Sequence, residues 1–291
     1  MIYHLNPFGV CFKSEKYSAS NINVSEIREL LVDHFLVVIK NFNFNGVKEY
    51  IDFLEQLGKP FGGGGMWCSH PLSNAIQIVT NKKICKNNTT GLFSEPKLEW
   101  HTNGIFCDHP EQIVSLYCKT PGQSATQFLN TSLAIEYVRK VSPIDIDDIM
   151  LEISNDNSKT ILKERVYDPL PSQEHRDISK HRYRDKGIEN TKYANQKIIK
   201  RKSFVQKHPL SSIEGCFFPK FNVLKLFSKK NRELRNKDFF TLCDLIFREE
   251  FIYTHQWEEG DLLLCDQILT LHRRSQYEGE RELYRSALWY H

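Results

Sequence analysis

Apolar positions along the chain follow two rhythms, one near 3.6 and one near 2. Behind Ser25, Ile27, Leu30 and Leu31 recur at three-and-four spacing up to His34, which predicts an amphipathic helix capped by that serine. Residues 35–39, Phe-Leu-Val-Val-Ile, are a short continuous apolar run bounded by polar residues, the pattern of a buried strand. Val47, Tyr50, Ile51, Leu54 and Leu57 mark a second helix that Gly58 and Pro60 should stop. This helix–strand–helix opening suits packing against the outside of a sheet.

Beyond it the rhythm shortens. Residues 75–80 and 112–118 are strand-like, and Pro121-Gly122 marks a turn. Residues 239–247 predict a helix. Strands are expected at 251–255, 262–265 and 284–290, with Trp257 to Asp261 as a turn. No internal repeat occurs. The fold class expected is mainly β with flanking helices (α+β), and 291 residues with 40% hydrophobic content suffice for one large core.

Two stretches break the pattern. Gly62 to Gly65 are four consecutive glycines, but Met66-Trp67-Cys68 follow where a phosphate cradle would need a Lys-Ser/Thr pair, so a loop is expected. Residues 155–207 are polar, and 176–207 holds eleven Lys/Arg against three Asp/Glu. This predicts a solvated basic insertion in a single domain spanning 1–291, with a lid over the ligand as the alternative. Tyr183 and Tyr193 alone interleave with the charge there, which argues against nucleic acid.

Composition narrows the remaining classes. A formal charge of +3 gives no footprint for nucleic acid or a membrane surface. Neither a signal-peptide pattern nor an apolar run of membrane-spanning length is present, so a cytoplasmic protein with a small-molecule substrate is expected and no membrane partner. The oligomeric state is not encoded legibly. The eight cysteines contain no C-x-x-C pair, which predicts reduced, mostly buried thiols. Asn88-Thr89-Thr90 and Asn130-Thr131-Ser132 match a glycosylation triplet that a cytosolic protein would not use.

The candidate chemistry lies in two distant segments, Trp100-His101-Thr102-Asn103-Gly104 and Leu271-His272. Two imidazoles and one carboxylate on one face of Fe(II) make the common non-haem iron site, with open positions for co-substrate and oxygen. Residues two apart on a strand share a face, so His101 and Asn103 would point into one cavity, with His272 supplied by another strand. Cys107, His109 and Cys118 raise zinc as a rival, but their spacing fits no closed zinc pattern.

Several further segments occur in a set order: Leu57-Gly58-Lys59-Pro60-Phe61, the 121–128 turn and strand, Trp257-x-x-Gly260-Asp261-Leu262, and Leu271-His272-Arg273. Together with Trp100-His101-Thr102, the chain resembles the taurine-dioxygenase-like family of Fe(II)/2-oxoglutarate-dependent oxygenases over nearly its whole length. The resemblance implies a double-stranded β-helix (jelly-roll) core, Fe(II) as cofactor and 2-oxoglutarate as co-substrate. It also implies oxidation of a substrate C–H bond coupled to decarboxylation of 2-oxoglutarate to succinate. By it, His101 and His272 match the metal-binding histidines, and Thr126 matches a threonine that contacts 2-oxoglutarate. Arg281 and Arg285 match an arginine pair, of which the first usually clamps the distal carboxylate of 2-oxoglutarate and the second often meets the substrate. His70 falls where relatives place substrate-contacting residues. Trp100 and Trp257 are expected in packing roles.

Asn103 departs from the family, which has Asp or Glu at that position. An amide oxygen can still ligate iron, as a neutral and weaker donor. Three outcomes stay open from the sequence: a working oxygenase with a His-x-Asn…His site, an anion-assisted (halogenase-like) variant, and a weakened or non-catalytic binding protein on the same fold. Asp108 is offset by five residues and is not expected to substitute.

Overall fold

The computed structural model describes residues 2–13, 17–60, 69–85, 88–89, 97–106, 109–156, 159–162, 199–276 and 278–291. Its frame is a nine-stranded sheet packed against a four-stranded one. The large sheet runs in the order Ile2–His4, Val10–Phe12, Leu36–Ile39, Leu262–Asp266, Ile113–Thr120, Glu282–Trp289, Ser73–Thr80, Ser69–His70, with Lys59–Pro60 also on Glu282–Trp289. All its pairings are antiparallel except that of Val10–Phe12 with Leu36–Ile39. The small sheet is antiparallel in the order Leu98–His101, Thr270–Arg274, Ala125–Asn130, Ile252–Gln256.

Strand alternation sorts the large sheet into two faces. Val37, Ile39, Leu262, Leu264, Ile113 and Tyr117 face outward and pack with Ile27, Leu31, Tyr50, Phe53, Leu54 and Leu57 of the two N-terminal helices, Val24–His34 and Val47–Leu57. Leu36, Val38, Leu263, Cys265, Val114 and Leu116 face the other way and pack with Phe128 of the small sheet. The expected covering of a sheet by the helix–strand–helix opening is therefore observed. A buried hydrogen bond, Tyr50 Oη to Ser115 Oγ at 2.8 Å, ties the second helix to the central strand.

The small sheet's other face, through Trp100, Leu129, Leu271 and Ile252, packs with helices Thr131–Val141 and Asn236–Ile246 and with a third sheet. That sheet is Ile199–Ser203, Ile149–Ser154, Val223–Ser228. The first of these strands was expected inside the polar insertion. Its charge hides its conformation: it is a sheet edge, where Lys and Arg side chains discourage further pairing. Arg201 uses its charge locally, bonding Glu152 at 2.9 Å and lying 4.1 Å from the Phe227 ring centroid. Residues 157–158 and 163–198 of the expected insertion, the glycine run 62–65, and Cys107 and Asp108 lie outside the described residues.

Two local expectations change. Asn23, not Ser25, caps the first helix, accepting from the Glu26 amide at 3.3 Å. The Asn130 triplet also serves a helix start: Asn130 is buried and its Oδ1 accepts from the amides of Ser132 and Leu133 at 2.9 and 3.0 Å. The cysteines that are described are free, and Cys11, Cys118, Cys216 and Cys265 are buried. No helix among the described residues is long and apolar enough to cross a membrane.

Candidate metal and co-substrate site

The site grows from one register. Leu98–His101 pairs antiparallel with Thr270–Arg274, and the ladder sets His101 directly opposite His272. Their rings approach to 4.2 Å between centroids. His101 Nδ1 donates to the Glu99 carbonyl at 2.6 Å, which leaves the ring's lone pair on Nε2. Burial lowers the His101 pKa to about 4, with Arg274 and Arg285 adding to the effect, and burial beside His101 and Arg285 pushes His272 well below its ordinary value. Both rings are neutral at neutral pH, the form in which imidazole binds a metal.

Asn103 joins them by a different route from the one expected. The strand ends at His101, and a bend follows. The bend closes at Gly104, whose φ of +65° and contacts with Pro110 and Glu111 exclude a side chain: an added Cβ would lie 3.2 Å from the Glu111 nitrogen. Asn103 Nδ2 thereby comes within 3.5 Å of His272 Nε2. Its amide is held by Gln267, whose Oε1 accepts from Asn103 Nδ2 at 3.0 Å and from the Asn103 backbone amide at 3.3 Å.

His101 and His272 line a cavity of about 410 Å³, measured out to its solvent mouth, between the two sheets, and Asn103 lies beside His272. Val79, Val114, Leu116 and Leu283 give it an apolar wall, and Arg274, Arg281 and Arg285 give it positive charge, whereas the Arg273 guanidinium turns to the Trp100 ring on the opposite face. Thr126 also lines it, with its hydroxyl accepting from Trp257 Nε1 at 2.8 Å. The buried indole thus fixes the threonine while filling the core.

The two expected arginines differ in their surroundings. Arg285 is buried and bonded through Nη1 to Gln77 Oε1 and through Nη2 to Glu111 Oε2. Arg281 is equally buried, and its Nε donates to the neutral Ser124 hydroxyl at 3.1 Å. An internal carboxylate therefore balances Arg285, and a hydroxyl holds the Nε of Arg281. Glu111, Gln77, Gln267 and Arg274 were not anticipated from sequence. Arg274 alone carried a usable signal, since it stands two residues from His272 on the same strand face.

Not every candidate converges. His70 sits on the edge strand of the large sheet, its ring 5.3 Å from that of Tyr284, and is not among the cavity-lining residues. Tyr284 belongs to the outer, helix-covered face, opposite Leu283 and Arg285. The substrate contact expected of His70 therefore has no support in its position. Among the described residues no group of three or more His, Cys, Asp or Glu could hold a metal, so the zinc alternative at His109 and Cys118 gains nothing. Any metal at His101 and His272 would need Asn103 or a non-protein donor.

Two sheets of antiparallel strands with a paired-histidine site between them define a double-stranded β-helix of the cupin or jelly-roll type. The chain belongs to the taurine catabolism dioxygenase TauD, TfdA family, whose model matches residues 5–287. It is an Fe(II)- and 2-oxoglutarate-dependent oxygenase by that membership. Similar solved structures include AAD-2 in complex with Mn(II) and N-oxalylglycine, at 17% identity and a TM-score of 0.71, covering 99% of this chain and 96% of that one. A taurine dioxygenase from Burkholderia xenovorans is similar at 16% identity and TM-score 0.69, with 99% and 88% covered. PvcB from Pseudomonas aeruginosa follows at 12% identity and 0.66, with 99% and 91% covered. At these identities the likeness is one of fold. No curated protein sequence matches the chain.

Proposed function

We propose that this oxygenase acts on a small molecule through a His-x-Asn…His iron site, with Arg281 and Thr126 receiving the distal carboxylate of 2-oxoglutarate. The observation that carries the reading is the cross-strand register of His101 and His272, two neutral imidazoles set 4.2 Å apart between ring centroids at a cavity rimmed by arginine. Two imidazole nitrogens suit a divalent cation such as iron, and the Asn103 amide, whose Nδ2 lies 3.5 Å from His272 Nε2, could add its oxygen as a third donor. Bound there with 2-oxoglutarate, iron would supply the oxidising chemistry, and the protein supplies position, dryness and charge.

The chain's own residues divide that work. His101 is oriented by its bond to the Glu99 carbonyl, so its Nε2 is the atom offered to a cation. The apolar wall of Val79, Val114, Leu116 and Leu283 keeps water away from the far end of the cavity. Arg281 presents a planar guanidinium suited to bidentate carboxylate binding. Arg285 has Glu111 and Gln77 in the place of an external anion, so we assign it to shaping the wall and not to clamping the co-substrate.

Isothermal titration of Mn(II)-loaded protein with 2-oxoglutarate tests the assignment. Arg281→Met should weaken binding by about 10- to 100-fold, the worth of a charged hydrogen bond. Arg285→Met should weaken it less and cost more stability. The reverse order would exchange the two roles.

One observation favours a second reading. With no carboxylate beside the histidine pair among the described residues, metal retention is weak by construction, and a binding protein that no longer turns over is the alternative. Succinate production in air separates the two.

A further inference from the structure

We propose that Gln267 is a positioning residue that fixes the orientation of the Asn103 amide and so makes asparagine, not aspartate, the residue that fits this site. The inference rests on the iron-site reading above and adds a residue to it.

An amide side chain has two branches that differ only in being donor or acceptor, and its neighbours decide which way round it sits. Gln267 meets one neighbour that leaves no choice: the backbone N–H of Asn103 can only donate, and the atom it faces at 3.3 Å is Gln267 Oε1. The Thr102 hydroxyl donates to the Gln267 carbonyl at 3.1 Å and lies 3.5 Å from the same Oε1. On the other branch, Gln267 Nε2 donates to Cys265 Sγ at 3.2 Å, and burial drives the Cys265 thiol up to about 12, so the sulfur stays uncharged. Gln267 itself is buried, and its backbone amide is fixed to the Gln112 carbonyl at 2.8 Å.

With Oε1 fixed, the atom of Asn103 that faces it at 3.0 Å must be a donor. That commits Nδ2, the branch that also lies 3.5 Å from His272 Nε2, to Gln267 and fixes Oδ1 as the opposite, accepting branch of the amide. An aspartate at 103 would set a carboxylate oxygen against Oε1, two acceptors with no proton between them. Gln267 could relieve this only by turning its amide round, which would set its NH2 against the backbone N–H of residue 103. Asparagine at 103 and glutamine at 267 are therefore a matched pair, and the unusual residue is supported by its neighbour.

The test compares the parent protein with Gln267→Leu, which removes the acceptor, and Gln267→Glu, which keeps an acceptor at the same reach. Co(II) affinity is read from the d–d absorption on titration, with circular dichroism confirming the fold. Gln267→Leu should lose about 10- to 100-fold in Co(II) affinity, as is usual when an outer partner of a metal ligand is removed. Gln267→Glu should bind at least as tightly as the parent. A metal-free readout accompanies this: in protein carrying 15N-asparagine, the Asn103 side-chain signal, recognised by its loss in Asn103→Ala, should shift in Gln267→Leu. Its exchange with water should rise about fivefold, the factor carried by one ordinary hydrogen bond. If Gln267→Leu does not fold, Gln267→Asn withdraws the acceptor by one methylene and serves in its place.

Unchanged Asn103 signals in Gln267→Leu would overturn the proposal, as would parental Co(II) affinity in that variant. Failure of the parent to bind Co(II) would instead overturn the iron-site reading, while the amide signal would still decide on Gln267.

Discussion

The molecule buries histidine in two ways. His208 and His255 each turn Nε2 to an aspartate, Asp266 at 3.0 Å and Asp261 at 3.1 Å, and the other nitrogen of each ring is also engaged. His101 and His272 instead face one another, with arginines about them and no carboxylate beside them among the described residues. The first arrangement satisfies a buried polar group and joins chain segments distant in sequence. The second brings two lone-pair donors together through strand register, with His101 oriented by the Glu99 carbonyl. A saturated cluster belongs to stability and a converging pair to binding, and substitutions should separate the two.

The largest stability effect is expected in the saturated region. Asp261 accepts from His255 Nε2, Lys40 Nζ and the Glu258 amide at 3.1, 2.8 and 2.9 Å. Burial by itself would raise its carboxyl, but these bonds outweigh it and hold the pKa below 3.8. Asp261→Asn should lower the unfolding free energy by about 3–5 kcal/mol at pH 7, the usual effect of breaking a buried ion pair, as read by urea denaturation. The sign with pH follows from linkage. A depressed carboxyl stabilises fully above its unfolded pKa, and that contribution disappears as pH falls below 3.8 through the folded value. The acid limb of the parent's stability profile should therefore flatten in Asp261→Asn, and an unchanged limb would remove Asp261 from that role.

The converging pair should show the opposite balance. His272→Gln is expected to change unfolding free energy by no more than about 1.5 kcal/mol, the size of one ordinary hydrogen bond. The same variant should lose Co(II) affinity by at least about 100-fold, beyond the usual effect of a lost supporting partner. A large stability loss with metal affinity retained would make His272 another structural histidine.

Much of this arrangement was legible in the sequence, for identifiable reasons. The helices and the buried strands 36–39 and 262–266 announce themselves because their apolar positions follow the period of the element that buries them. His101, Asn103 and His272 were legible through ordered motifs, and Trp257 through its turn. Gln267, Gln77 and Glu111 were not, because nothing local distinguishes a glutamine that meets residue 103 from one that meets water. Their partners lie 164, 208 and 174 residues away in the chain. The strand Ile199–Ser203 was missed for the opposite reason: its charged residues are suited to an edge, and charge resembles loop when the sheet beneath it is unseen. Asn103 illustrates both cases, since its identity is plain and its consequence depends on an amide only the fold brings near.

The central claim is that the facing histidines and Asn103 together hold iron in a form that accepts 2-oxoglutarate. Anaerobic addition of Fe(II) and 2-oxoglutarate, followed by visible absorption, tests it most directly. The account predicts a weak charge-transfer band in the parent protein that is absent in His272→Gln, with succinate formed when air is admitted. No band at saturating Fe(II) and no succinate from the parent would contradict it and leave a binding protein on an oxygenase fold.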